Sequence, residues 1–367
     1  MLKKLFGTIL RREKPKTFRT WQIELTTRCP LRCRMCVREG EAPWQYRQMP
    51  LADFKKLLPD LAEVESVVLE GWGESLLHPD LAEIIRLVKQ AGPRVGFVTS
   101  GFGLTRERAR ELIQAGVDFM GFSLAGTTPA THDAIRIHSQ LPDLLAAIRL
   151  VNEEREIQGL DRPRLHIVYL MLKDNFREIL SLPALAREVG IKEIVLINIC
   201  HTVTPWQEAQ QVFSKEEGSD GNEAFIRQAE EQARKWGILL KKSALSVSGS
   251  AICAENPLEN LYISAEGEVA PCVYSHPPLP SPFKRLFRGQ EVPVEKVSFG
   301  NIFREPFAAI WEGGDYTAFR DRFSQREKEY RAFYRSLSDG RMKDPQHGFS
   351  LSAPPVPCQS CHKILGV

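Results

Sequence analysis

No stretch of this 367-residue chain approaches eighteen consecutive apolar residues, so it has no segment built to cross a bilayer as a helix. A secretory start is missing too. In "MLKKLFGTILRREKPK" only six mostly apolar residues separate the basic head from "RREK", too few for a signal-peptide core, and no small-residue cleavage site follows. These absences predict a cytoplasmic protein, where disulfides are rare. No internal repeat recurs at a fixed period, which argues against a solenoid or propeller. With 43% hydrophobic and 26% charged residues the composition is that of a soluble globular protein, long enough for two domains or one large one with an appendage. What the chain does have is cysteine. Eight thiols in reducing surroundings point to metal or redox chemistry rather than to staples.

Net charge is only +3, but it is uneven: residues 1–20 carry seven Lys or Arg against Glu13. Leu2, Leu5, Phe6, Ile9 and Leu10 recur at helical spacing among Lys3, Lys4, Arg11 and Arg12. A basic amphipathic helix of this kind can rest weakly on an anionic membrane surface or dock on a partner. The commoner arrangement is a terminal segment packed loosely on its own domain.

From residue 21 to 200, short β-branched runs alternate with helical patterns. "WQIEL", "SVVLEG", "RVGFVTS", "VDFMGFSL", "RLHIVYLM" and "KEIVLIN" read as strands, with helices expected near 51–62, 79–91, 105–115, 129–157 and 176–189. This alternation predicts βαβ units and a parallel sheet, an α/β fold. Near-continuous apolar strands imply burial on both faces. A partial barrel and an open doubly wound sheet remain equally compatible with the pattern. Residues 201–240 read as a polar connector and a helix near 222–236, and 241–367 as a small α+β domain. That domain should contain two short strands about the Glu266-Gly267 turn, a proline-rich loop over "SHPPLPSPFKRLFRG", a helix over 305–335 and an irregular end.

Cys29, Cys33 and Cys36 follow the first strand as Cys-x3-Cys-x2-Cys. Loops at strand C-terminal ends form the active sites of (β/α) folds, so the position suits chemistry. Thiolates this dense suit iron–sulfur or zinc. A four-iron cluster normally takes four thiolates, so with three one iron keeps an open position. The alternative is a zinc site with a distant fourth ligand.

The loop resembles the radical S-adenosylmethionine (SAM) family, and the likeness extends along the chain. "EGWGESLLHPD" is similar to that family's Gly-Gly-Glu-Pro segment, which binds the SAM amino group; it falls on Trp72, Gly73, Glu74 and Ser75, with Trp and Ser replacing the first Gly and the Pro. "FVTSGF" resembles the third-strand "TNG" segment and includes Ser100. "GFSLAG" resembles the fourth-strand "SLDG", with Ala125 in place of Asp and Ser123 as a ribose contact. Arg136 in "HDAIR" stands where the family often has Arg, and Met35 where an aromatic covers adenine; a polarizable thioether can serve the same face. The resemblance implies a six-unit (β/α) partial, TIM-like barrel and an iron that chelates SAM. One electron, from a reductant such as ferredoxin or flavodoxin, would then yield a 5′-deoxyadenosyl radical that removes a hydrogen atom from substrate.

Cys253, Cys272, Cys358 and Cys361 form a second set that by itself fits zinc or a second cluster equally. Cys-x13-Gly-x4-Cys followed by "GNIFREPFAAIWEGGDYTAFR" resembles the SPASM extension of the same family. Having four cysteines, not seven, it is closer to the shortened twitch form. That implies one auxiliary [4Fe–4S] cluster, fully ligated and therefore suited to electron transfer. Molybdopterin cyclases differ in having three cysteines and an open iron there.

Cys200 and His201 follow the sixth strand, where a thiol could return a hydrogen atom and an imidazole take a proton. A lone cysteine is more often packing. Arg320, Arg322, Arg326, Arg331 and Arg335 form either an acidic-partner site or a solvated helix face. Nucleic-acid binding needs more positive charge than this region carries. The short segment before the first strand leaves no room for a leader-peptide domain, so a peptide substrate would dock directly or on a separate carrier. The function expected is an oxidoreductase or maturase acting on a peptide, protein or small molecule, with maturation of a tungsten or molybdenum oxidoreductase as the alternative. A non-catalytic zinc or iron–sulfur scaffold is the contrasting class.

Overall fold

The computed structural model describes residues 16–213, 220–339 and 350–367. The basic N-terminal segment up to residue 15, and residues 340–349 of the Arg-rich region, lie outside them. The β-branched and aromatic runs form β1 (Phe18–Ile23), β2 (Val64–Val68), β3 (Arg94–Thr99), β4 (Phe119–Leu124), β5 (Arg164–Met171) and β6 (Glu193–Asn198). These six are parallel neighbours in chain order, with registers such as Phe97 opposite Met120 and Ser123 opposite Val168. The sheet does not stop there. Leu239–Lys242 (β7), from the stretch read as connector, adds a parallel strand beside β6. Asn260–Ile263 (β8) adds another beside β1, and Val269–Ala270 (β9) returns antiparallel at its edge. The result is a nine-stranded, mostly parallel sheet whose edges do not pair, an open partial TIM-like barrel.

Burial alternates along β5 and β6. Ile167, Tyr169, Met171, Ile194 and Leu196 are fully buried under the helices, whereas Val168, Leu170, Val195 and Ile197 are half-buried on the other face. The expectation of burial on both faces therefore fails here, because the inner face lines an open barrel. Helices Leu81–Ala91, Arg106–Gln114, Leu141–Ile157 and Leu182–Glu188 cover the outside. The first ends at Gly92, whose φ of 111° a residue with a Cβ rarely adopts.

Four expected helices are broken. The one over 176–189 is 3-10 over Phe176–Ser181 and α-helical only over Leu182–Glu188. Over 51–62 only Leu51–Phe54 is α-helical, and two 3-10 turns follow on either side of Pro59. The 129–157 helix divides into Pro129–Ile135 and Leu141–Ile157, because Arg136–Ile137 is drawn out to pair with Arg32–Cys33. The 305–335 helix divides at Gly313 into Phe307–Trp311 and Gly314–Ser338. The proline-rich stretch is not all loop. Phe283–Phe287 (β10) and Gln290–Val294 (β11) form a hairpin about Arg288 and Gly289, with φ of 55° and 75°. Positive φ at both positions is what a tight two-residue hairpin turn requires. The aromatic rings of Phe307 and Trp311 pack on Trp21 and Phe18, at 4.7 and 4.8 Å, and so fasten the C-terminal region to the sheet.

Candidate functional site

The three-cysteine loop is held by backbone contacts on every side. Cys33 pairs with Arg136, and the Arg34 amide donates to the Ile135 carbonyl at 3.0 Å. Arg38 donates to the carbonyls of Cys29 and Leu31, at 3.0 and 3.1 Å, and its guanidinium lies over the Trp44 ring. Gln207 donates to the carbonyls of Arg34 and Cys36, and Arg34 stacks on Trp206 at 3.9 Å. Two of the arginines among the cysteines, Arg34 and Arg38, therefore act locally and fix the loop. Burial pushes the Cys29 thiol up to about 11 and Cys36 to about 12. Such thiols ionise when a metal supplies the positive charge, so the donor set suits an iron–sulfur group.

Glu74 is buried at the end of this wall. Its carboxylate accepts from Thr99 Oγ1 (2.8 Å), the Ser100 amide (2.8 Å) and Ser100 Oγ (2.7 Å), with the Leu76 amide more distant at 3.3 Å. A carboxylate has about four acceptor positions, so protein donors fill it. Ser75 points elsewhere, donating to the Leu69 carbonyl at 2.6 Å and closing the turn. At Gly73 a Cβ would lie 2.1 Å from the Thr26 carbonyl oxygen, so this backbone packs directly on the strand that leads into the cysteines. Met35 packs with Ala125, Ile135, Leu170 and Ile199 above the ends of β4 to β6, and Ser123 is half-buried on β4. Arg136 has a buried Nε with no protein partner. Met35, Arg136, Glu74 and Ser100 thus gather around the cysteine loop, and Glu74 lies close enough to raise Cys29 further.

Trp72 turns away from that wall. Its ring meets His201 edge-on at 5.7 Å and Tyr274 at 6.1 Å, and it packs with Tyr262 and Val273 of the C-terminal region. His201 is fully buried, stacked between Tyr274 and Phe283, and neither ring nitrogen has a hydrogen-bond partner. Burial and the nearby Arg285 hold its pKa well below the usual histidine value, so it stands neutral. Cys200 lies on the other side, its thiol donating to the carbonyl oxygen of Val367 at 3.7 Å.

Cys253, Cys272, Cys358 and Cys361 lie within electrostatic reach of one another, and burial raises the first three thiols. Gly267, at φ 85°, makes the turn between β8 and β9 that delivers Cys272; a Cβ there would collide with the Phe303 ring. Among the described residues, no three His, Cys, Asp or Glu side chains are drawn together as around a single metal ion, at either cysteine set. The sequence reading missed several charged groups between the two sets. Glu24 is buried and accepts from the Trp72 amide at 2.7 Å, and burial raises it to about 7. Glu70 is raised to about 8, by burial first and then by Glu255 and Glu74. Their only signal in the chain is an acidic residue at the end of an apolar strand.

Residues 23–157 match the family model of the radical SAM superfamily, and residues 253–332 match that of the SPASM iron–sulfur cluster-binding domain. Cys358 and Cys361 lie beyond the second match. The tungsten-containing aldehyde ferredoxin oxidoreductase cofactor-modifying protein of Pyrococcus furiosus is 27% identical over 81% of this chain and 82% of its own length. The AdoMet-dependent heme synthase of Methanosarcina barkeri is 26% identical over 80% and 81%. The structure of anSMEcpe with bound AdoMet and Cp18Cys peptide shares the fold, with a TM-score of 0.59 at 14% identity, over 93% of this chain and 94% of that one. No helix of the described residues is long and apolar enough to cross a membrane.

Proposed function

The chain belongs to the radical SAM superfamily and carries a C-terminal SPASM domain, and from this premise we propose that it oxidises a substrate held between its two cysteine sets, in the maturation of an enzyme cofactor. When bound, the three-cysteine cluster and SAM supply one chemistry: an electron splits a carbon–sulfur bond, and the 5′-deoxyadenosyl radical that results removes a hydrogen atom. The protein's part is to bind, orient and exclude water. Cys29, Cys33 and Cys36 hold the cluster and leave one position for SAM. Met35 would cover the adenine and Arg136 and Ser123 would meet the nucleoside, while Glu74 holds Ser100 and Glu24 holds the Trp72 amide.

His201 carries the oxidation reading. Its neutral ring offers one donor and one acceptor nitrogen, neither with a protein partner, and it stands between Trp72 and the four-cysteine region. With a hydrogen atom removed, His201 could take the proton that must also leave. A cluster held by Cys253, Cys272, Cys358 and Cys361 would supply the acceptor for the remaining electron, and together these balance as a two-electron oxidation. This reading assigns Cys200, whose thiol donates to the Val367 carbonyl, to packing. The substrate class is supported by the two relatives similar over four-fifths of the chain, one named for modifying a cofactor and one for making heme.

Anaerobic reconstitution followed by reduction with SAM tests the reading. About eight irons per chain and release of 5′-deoxyadenosine are expected; full iron loading with no 5′-deoxyadenosine ends it. With the proteins encoded beside its gene supplied as substrates, the product should lack two hydrogens. His201→Phe keeps the ring stack and should keep iron and 5′-deoxyadenosine release while losing that product. An unchanged product yield would remove His201 from the scheme.

A further inference from the structure

Arg285 lies on β10, in a stretch whose proline content reads as loop. Its side chain is among the largest that are fully buried, with the residue only 1% exposed. The guanidinium donates to the Pro357 carbonyl at 2.9 Å, Ser360 Oγ at 3.3 Å and the Tyr274 carbonyl at 3.0 Å, and its plane faces the Phe283 ring at 5.5 Å. Its Nε has no partner. All three acceptors are neutral, and among the described residues no carboxylate forms an ion pair with it. A buried charge with no counter-charge is costly, and an arginine cannot escape the cost by losing its proton.

The positions of those acceptors show where the missing negative charge belongs. Pro357 immediately precedes Cys358, Ser360 immediately precedes Cys361, and Tyr274 is two residues after Cys272. One cation therefore ties together the segments that carry three of the four cysteines. The fourth segment has a cation of its own. Arg326, also buried, donates to the carbonyls of Ala251 (3.0 Å) and Ser250 (2.6 Å), just before Cys253, but Glu329 lies near it as a partial counter-charge. Arg285 has no such relief.

We propose that Arg285 is the counter-charge of the four-cysteine centre and sets its reduction potential. This rests on the reading that these cysteines hold the auxiliary cluster. Each electron added to a cluster bound by four thiolates makes it more negative, and a fixed cation in a dry surrounding favours that reduced state. The three hydrogen bonds keep the charge in place, so little reorganisation accompanies electron uptake. Arg285 thereby makes the centre a better acceptor of the electron that substrate oxidation releases.

The test uses the full-length chain with Cys29, Cys33 and Cys36 replaced by Ala, so that only the second centre is loaded, and compares Arg285→Gln with Arg285→Lys. Iron content and a potentiometric titration followed by electron paramagnetic resonance are the readouts. About four irons per chain are expected. Arg285→Gln should lower the reduced-to-oxidised ratio at the parent's midpoint at least tenfold, a shift of about 59 mV for one electron. Arg285→Lys keeps the charge and should move the midpoint by less than half as much. A fully loaded Gln variant with the parent's midpoint overturns the proposal, and so does a Lys variant that shifts as far as Gln. If Gln fails to load, a Lys variant loaded at the parent's midpoint upholds the counter-charge, and failure of both variants assigns Arg285 to loop shaping alone. A parent without iron removes the cluster reading itself, and iron content alone distinguishes that result.

Discussion

Glu74→Gln keeps the shape of the side chain and removes its charge, which makes it the sharpest probe of the cofactor wall. The carboxylate accepts three short bonds, from Thr99 Oγ1, the Ser100 amide and Ser100 Oγ at 2.7–2.8 Å, and a longer one from the Leu76 amide. A glutamine has one acceptor oxygen. In its better orientation that oxygen keeps Ser100, the Thr99 hydroxyl rotates to accept from the new NH2, and the Leu76 amide faces a donor. Bonds to a charged acceptor are worth roughly 1.5–3 kcal/mol and neutral ones roughly 0.5–1.5, so three bonds weaken by about 1 kcal/mol each. Relief from burying the carboxylate offsets part of that, leaving a net loss of about 2 kcal/mol. At 1.4 kcal/mol per tenfold, opening at Ser100 should become about thirtyfold more frequent. Amide hydrogen exchange at Ser100 reads this directly, with the helical amide of Ala109, bonded to the Thr105 carbonyl, as an internal reference. The SAM dissociation constant should rise about tenfold over the same comparison. Unchanged exchange at Ser100 would refute the reasoning, whatever happens to SAM.

Gly73→Ala places a Cβ 2.1 Å from the Thr26 carbonyl oxygen and 2.8 Å from that of Arg28, both backbone, so the strand leading to the cysteines must move. Overpacking of this kind costs about 3 kcal/mol, and iron should fall from about eight to about four per chain with the auxiliary centre retained; full loading would contradict the packing argument. Burial raises Glu24 from 4.5 to about 7, so the folded chain holds a proton that the unfolded chain has released. The stability tied to that proton is intact below pH 4.5 and lost as pH rises through 7, a change of about 3 kcal/mol. Glu24→Gln should flatten the dependence of the urea midpoint between pH 5 and 8, and an equal slope in both proteins would show that the carboxyl is not held protonated.

Much of this was legible in the chain because periodicity and cysteine spacing are local. The six parallel strands and the Cys29, Cys33 and Cys36 set follow from runs of ten residues or fewer. Cys253, Cys272, Cys358 and Cys361, by contrast, are spread over residues 253–361 and are grouped only through the family resemblance. What was illegible depends on contacts distant in sequence. Arg136–Ile137 interrupts a good helical pattern because Arg32–Cys33, a hundred residues earlier, offers it a strand partner. β8 joins the barrel sheet because Leu261 and Ile263 find the open edge of β1, which no local pattern announces. Arg285 was hidden by the prolines around it. The alternation in "FKRLF" was present, but only the positive φ at Arg288 and Gly289 turns it into a hairpin.

The replacement of the motif's first Gly by Trp72 acquires a reason from the same long-range packing. A glycine there would leave a gap between β2 and the C-terminal region. Trp72 fills it, with its ring against His201 and Tyr274 and its amide on Glu24, which also faces the turn after β8 through the Ala265 amide at 3.4 Å. The backbone of this residue therefore follows β2, held by Glu24, and its side chain joins the C-terminal region. The half-buried indole packs with Tyr262, Ala270 and Val273, so truncating it would open a cavity between these elements. The substitution thus puts one side chain in contact with both His201 and Tyr274, while its amide stays on Glu24.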